Sequence, residues 1–260
     1  MSLTTPSGGI EELVDATSGR EIVATPVVVD RFEDLTKKYE QYLNVRDKGT
    51  LLKDHVEEIL SPCDLNIFVQ QTRHYEDHTS YDSDTGDFIS QLIQNSYHAG
   101  NNDFELDMKY LKIIDYLASD ISGTEERMVK MVITGEVGMG CGSRVRYSTF
   151  IIPKVGKYCG RLSKHSSFTI EKAGDWCGWE AQHSTFIIEK AGNWTGYFAE
   201  HSTFTIGKAG EDCGRFSTYS TFKTHNQDQY ERFKESVPQN EENKLYLLSS
   251  DDSIIQGGEW

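Results

Sequence analysis

No apolar stretch in this 260-residue chain approaches the ~20 residues needed to cross a bilayer, which excludes a helical membrane span. Near the start, Glu11, Glu12 and Asp15 stand where a secretion signal needs a basic end and an apolar run, so a cytoplasmic protein is expected. Hydrophobic residues make up only 37 % of the chain, low for a large compact core but sufficient for a solenoid or a small bundle. Basic residues are also in short supply, 26 against 41 acidic, for a formal net charge of −15. That balance disfavours nonspecific binding to nucleic acid or to an anionic membrane, each of which needs a strong basic face. No glycine-rich phosphate loop follows a strand and no Gly-x-Ser-x-Gly elbow is present. The five cysteines lack the short spacings of zinc or cluster sites, and a cytoplasmic setting predicts reduced, buried thiols.

The charge is unevenly spread. Residues 1–140 hold 12 basic and 26 acidic side chains, residues 141–224 hold 11 and 7, and residues 225–260 hold 3 and 8. An acidic head, a mildly basic middle and an acidic tail imply at least two units.

The middle is repetitive. Phe150, Phe168, Phe186, Phe204 and Phe222 are each 18 residues apart. Ser148, Ser166, Ser184, Ser202 and Ser220 keep the same step, as do two glycine columns beginning at Gly138 and Gly142. Lys154, Lys172, Lys190 and Lys208 follow it too, and so do Cys141, Cys159, Cys177 and Cys213, with Thr195 standing in the cysteine column. Eighteen residues are too few for a two-helix repeat. A β-rich Ser-Thr-Phe-Ile-Ile segment and a Lys-Ala-Gly turn fit one coil of a parallel β-solenoid, here of about five coils. Side chains alternate along a strand, which predicts Ser184, Phe186 and Ile188 inside and His183, Thr185, Ile187 and Glu189 outside. A left-handed hexapeptide helix also has 18 residues per coil. Counting inward positions from Ile170, however, reaches Trp176 and Gln182, and the third side fails. A right-handed or flattened coil is favoured, with handedness unresolved.

Ahead of the array the periodicity is helical. Phe32, Leu35, Tyr39 and Leu43 mark one helix face, and Leu51 to Leu60 a shorter candidate. Ser61 followed by Pro62 is a helix start, with that helix running to about His78. Asp77 to Asp87 reads as an acidic loop. Phe88, Leu92, Ile93 and Tyr97 form another stripe closed by Gly100. A fifth helix is expected from Asn102 or Asp103, with Phe104, Met108, Leu111, Ile114 and Leu117 on one side. The expected organisation is a flexible arm at 1–26, an irregular helical bundle at 27–123, a β-solenoid at 128–226 and an acidic C-terminal segment at 227–260 that covers the last coil.

Chemistry-bearing residues fall on the outward columns. His165, His183 and His201, flanked by Tyr147 and Tyr219, would stand about 4.8 Å apart on neighbouring strands, as a ring ladder, a metal site or an anion site. Thr185, Thr203, Lys172, Lys190 and Lys208 complete a regular face, and Trp176 and Trp194 offer aromatic grip beside the lysines. In the head, His74 and His78 lie four apart, the spacing of metal ligands on one helix face, with Tyr75 where a zinc protease needs Glu. With His55 and Glu58, and with His98 and Asp103, they resemble the hemerythrin-like di-iron fold, departing from it in the spacing after His55 and in the lack of an earlier His. No cofactor is called for. The reading this supports is a non-enzymatic scaffold presenting a regular face to a protein or polymer partner, with self-association through the solenoid ends. The alternative is an enzyme, either an acyltransferase on a hexapeptide-type helix using an outward His as base or a metal-dependent activity in the head.

Overall fold

A computed structural model describes residues 26–45, 56–239 and 242–259, so the expected arm up to residue 25, the segment 51–55 and His55 lie outside the described residues. Helix α1 spans Pro26–Asn44, and its stripe Phe32, Leu35, Tyr39 and Leu43 is buried as the spacing predicts. Residues 56–60, part of the shorter helix candidate, are not helical. Helix α2 is Pro62–Gln71, and the Ser61 hydroxyl accepts from the Asp64 N–H at 3.1 Å, a side-chain N-cap with Pro in the first turn. It stops at Gln71 and tightens into a 3-10 turn at Thr72–Tyr75, short of the expected His78. Helix α3, Tyr81–His98, begins inside the stretch expected to be a loop. Tyr39, Phe68 and Phe88 join the three helices through ring centroids 5.1 to 6.0 Å apart.

The fifth helix does not form. Asp103–Asp107 is a strand, β1, in which Phe104 and Leu106 are buried and Asp103 and Glu105 exposed. Its apolar residues fit a helical period as well as an alternating one. The neighbouring strand edge decides between them, because β1 pairs in parallel with β2, Val129–Thr134, placing Phe104 beside Met131.

The parallel sheet continues through β3 (Glu136–Val137), β4 (Ser148–Val155), β5 (Ser167–Ala173), β6 (Thr185–Lys190), β7 (Thr203–Lys208) and β8 (Thr221–Thr224). From Phe150 onward the register is 18 residues per step: Phe150 beside Phe168, Phe168 beside Phe186, Phe186 beside Phe204 and Phe204 beside Phe222. The protein is therefore a β-solenoid of about five regular turns behind a few helices. The Phe rings stack 4.8 to 5.1 Å apart and within 7° of parallel. Each is fully buried, worth about 1.5–3 kcal/mol of hydrophobic stabilisation. The near-zero angle between successive rings means that the rings repeat from coil to coil with little tilt, the packing of an identical side-chain ladder.

Each coil returns on a second side with an unusual backbone. In the coil before β6, Trp176, Gly178, Glu180 and His183 have φ of 63°, 67°, 54° and 49°. Alternating left- and right-handed residues turns successive N–H groups to opposite sides. Trp176 and Glu180 donate to Asn193 and Tyr197 of the next coil, while Gly178 and Gln182 donate to Cys159 and Ser163 of the previous one. Both sides of the coil are thus bonded above and below, which offsets the roughly 1–2 kcal/mol that each non-glycine residue spends in that region. Gly178 is required here on a second count: a Cβ would stand 2.8 Å from Phe204 and 3.0 Å from Phe186. The Phe rings therefore reach across to the return backbone, and the coil is flattened to the width of one phenyl side chain.

Residues 227–259 are more ordered than an acidic tail. Helix α4, Gln227–Ser236, starts at an Asn226 cap, and β9, Lys244–Leu248, adds in parallel to β8. Strand β10, Ile254–Glu259, then pairs antiparallel with β9. Phe233 of α4 lies 5.8 Å from Phe222, so this segment covers the last regular coil, as its position suggests. At the opposite end the Asn66 side chain accepts from the Asp107 N–H and Gln70 donates to the Asp107 carbonyl, so α2 blunts the free edge of β1.

Candidate functional site

The outward face of β4 to β8 is the most regular surface of the molecule. Its middle holds two columns in register. One is Thr149, Ser167, Thr185, Thr203 and Thr221, and the other is Ile151, Thr169, Ile187, Thr205 and Lys223. Ser184, Phe186 and Ile188 point inward and His183, Thr185, Ile187 and Glu189 outward, as alternation requires. Ile151 and Ile187 are each about half exposed, at 50 % and 49 %. With Val132, Thr169 and Thr205 they line a shallow trough of about 660 Å³, wider in its apolar character than the hydroxyl columns alone suggest.

His165, His183 and His201 form one margin of this face. Their rings stack at 5.0 and 4.8 Å with 2° between planes, and Tyr147 and Tyr219 extend the stack at 4.9 and 4.7 Å. Zinc–nitrogen bonds of about 2.0–2.1 Å cannot bring two ligand nitrogens more than about 4.2 Å apart. Parallel rings at ladder spacing do not converge on one ion, and the arrangement is that of a ring ladder.

Lys172, Lys190 and Lys208 form the opposite margin, in register with Lys154. They are interleaved with carboxylates: Lys154 pairs with Glu136 and Lys190 with Glu189 at 3.2 Å, and Glu171 stands beside Lys172. The margin is close to neutral, less basic than the lysine column alone predicts. Trp176 and Trp194 stack at 4.7 Å past this margin, on the return side of the coil. The His and Thr columns lie on this face, the Lys column borders it at the strand ends one residue beyond Glu171 and Glu189, and the two tryptophans lie on the return side.

His74 sits in the 3-10 turn and His78 in the turn after it, where its Nδ1 accepts from the Ser80 N–H at 3.3 Å. The two do not share an α-helical face, so the premise of ligand spacing fails locally. Among the described residues no three His, Cys, Asp or Glu side chains are grouped to hold a metal ion, and no helix is long and apolar enough to cross a membrane.

Cys141, Cys159, Cys177 and Cys213 are free and buried, and Cys63 is free and exposed. Hydrogen bonding with the neighbouring thiols Cys141 and Cys177, together with burial, raises the Cys159 thiol well above its ordinary range, and burial pushes Cys213 up to about 11. A raised pKa holds both as thiols at neutral pH, and only the thiolate is a good nucleophile. In the folded protein a thiol reagent at neutral pH should label Cys63 alone, with the other four reacting only after denaturation. Rapid native labelling of a second cysteine, located by peptide mass spectrometry, would contradict the closed cysteine column. Thr195 fits the same column because its hydroxyl finds an internal acceptor, the Gly192 carbonyl at 3.1 Å.

Comparison of this chain with protein-family models, with curated proteins and with solved structures finds no match to any of them.

Proposed function

We propose that the protein is a non-enzymatic scaffold whose outward strand face docks a protein or polymer partner. The observation that carries this reading is the regular outward face in 18-residue register. Its inward residues are committed to packing, while the outward column of Ile151, Thr169, Ile187 and Thr205 lines a largely apolar trough bordered by Glu171 and Glu189. A contiguous exposed apolar strip rimmed by polar side chains is a feature of interaction surfaces. The nearly neutral margins mean that shape and apolar contact, more than charge, would select the partner.

The test is a double variant, His183→Ala with Ile187→Lys. Lys223 already occupies the column of Ile187, so a lysine there is compatible with the coil. The variant should keep its circular dichroism and melting behaviour while losing about tenfold or more in partner capture from a native extract, the effect of removing a central contact. Undiminished capture by a folded variant would overturn the assignment of this face.

A further inference from the structure

The first regular stretch of the array, residues 141–170, holds six basic side chains and no acidic one, in a chain of net charge −15. Three of the six are neutralised from outside the stretch. Arg144 makes a two-pronged contact with Asp120, Lys154 meets Glu136, and Lys157 lies 3.2 Å from Asp175. The other three, Arg146, Arg161 and Lys164, make no ion pair among the described residues.

Arg161 stands three residues before Lys164, at the turn that leads into the Arg146 and Lys164 column. Arg146 and Lys164 are consecutive rungs of a single column, joined by a parallel bridge, and the column continues as Gln182, Glu200 and Thr218. Side chains along it reach each other at the surface, since Gln182 Nε2 donates to Glu200 Oε2 at 3.2 Å. Arg161 sits over the Trp179 ring, its guanidinium carbon 4.5 Å from the ring centroid. Trp179 in turn touches Tyr158 and Trp176 at 5.8 and 5.7 Å between centroids. The exposed His165 ring stands next to Lys164 in sequence.

We propose that this corner binds an acidic peptide segment of another protein, with Arg161, Lys164 and Arg146 taking its carboxylates and the Trp179 cluster supplying the apolar contact. The Arg161 Nε is buried without a hydrogen-bond partner, so a carboxylate would be taken on the guanidinium's terminal nitrogens. Arg, Trp and Tyr are the residues that dominate protein–protein hot spots. The patch is short: Glu180 and Glu200 stand on the following coils, and the remainder of the molecule is acidic. A few adjacent carboxylates fit it, whereas a long nucleic acid would run onto repelling charge. The surface adjoins the strand face proposed above at His165, and the two assignments are told apart by variants in different columns: Arg161 and Lys164 here, His183 and Ile187 there.

A fluorescein-labelled oligoglutamate peptide is the probe, titrated against the full chain by anisotropy at low salt. Wild type should bind, and raising salt to about 0.3 M should weaken binding as screening shortens. Arg161→Gln with Lys164→Gln should weaken it about tenfold, while Lys172→Gln with Lys190→Gln, the same charge change on the strand face, should alter it less than about twofold. Arg161→Gln alone keeps a planar group over Trp179 and guards against loss of folding, which melting also reports. The proposal is overturned if the wild type does not bind oligoglutamate, if both double variants weaken binding equally, or if an oligothymidylate of equal charge binds more tightly.

Discussion

A variant lacking residues 177–194 should fold into the same solenoid one coil shorter. The excised segment is one 18-residue step, so Trp176 is followed by Thr195 and every column closes up in register. Phe168 then meets Phe204, Ser166 meets Ser202 and Lys172 meets Lys208, pairs that repeat those of the intact stack. Stability in such an array is close to a sum of coil and neighbour terms, so the variant should melt lower but still cooperatively. Deleting only residues 177–185 has a different outcome. The Cys and Phe columns lie nine residues apart, so Phe186 falls where Cys177 stood, and further on Phe204 and Cys213 exchange columns as well. Phenyl rings are then set against the return backbone from the wrong side, and hydroxyl-bearing strand residues fall among left-handed turns. Overpacking alone costs about 1–3 kcal/mol per site, and here it recurs in each later coil. That variant should be insoluble or bind a hydrophobic dye strongly. Circular dichroism, gel filtration and thermal melts of the two deletions decide the matter. Equal behaviour, whether both fold or both fail, would contradict stacking in fixed 18-residue register.

What could be read from the chain follows from where its structure is encoded. The strand columns were legible because each Phe or Ser is copied at constant spacing and needs only its own twin as a partner. The return side was not. Its left-handed residues include Trp176, Glu180 and His183, none of them the glycine or asparagine that marks such backbone, and they are held there by inter-coil hydrogen bonds. The residues of strand β1 also satisfy a helical spacing, as Phe104, Met108, Leu111 and Ile114 show, and only the neighbouring edge of β2 decides for the strand. Helix α4 escaped because just two of its apolar residues, Tyr230 and Phe233, are buried against the last coil. Of the candidate site, the outward His and Thr columns follow from alternation, whereas Lys190 shares the parity of buried Phe186 and Ile188 and is exposed because the strand ends there. The carboxylates that neutralise Lys154 and Lys157, and the turn that carries Trp176 and Trp194 to the other side, depend on coil geometry. Neither has a local signature.

Replacing Asn243 with alanine should cost about 2–6 kcal/mol, much of a marginal fold's stability. Interior coils satisfy their polar groups from the coil above. Ser202 N–H donates to Ser220 Oγ at 3.2 Å, and the Ser163 carbonyl accepts from Gln182 N–H at 2.8 Å. The last regular coil has no identical successor, and the C-terminal segment supplies side chains in its place. Asn243, fully buried, accepts from Ser220 N–H at 2.9 Å and donates to the Ser217 carbonyl at 3.0 Å. Gln229 Oε1 accepts from Ala209 N–H at 2.8 Å, where Ala191 N–H has the Lys208 carbonyl. Ser236 donates to the Cys213 carbonyl at 2.7 Å, where the Cys177 carbonyl has Gly196 N–H. Removing the Asn243 amide leaves a buried donor and a buried acceptor unmade, each costing about 1–3 kcal/mol. Asn243→Asp keeps the acceptor and adds a buried charge facing a carbonyl, so it should be at least as damaging. Denaturant titration measures the loss, and a change below about 1 kcal/mol would show that the amide is not the cap that its bonds indicate. A loosened cap also bares the β8 edge, a template for strand pairing. Sedimentation of Asn243→Ala should therefore show more concentration-dependent self-association than the wild type, and a variant that is destabilised yet associates no more than the wild type would separate the stabilising role of this cap from any role in blocking end-to-end assembly.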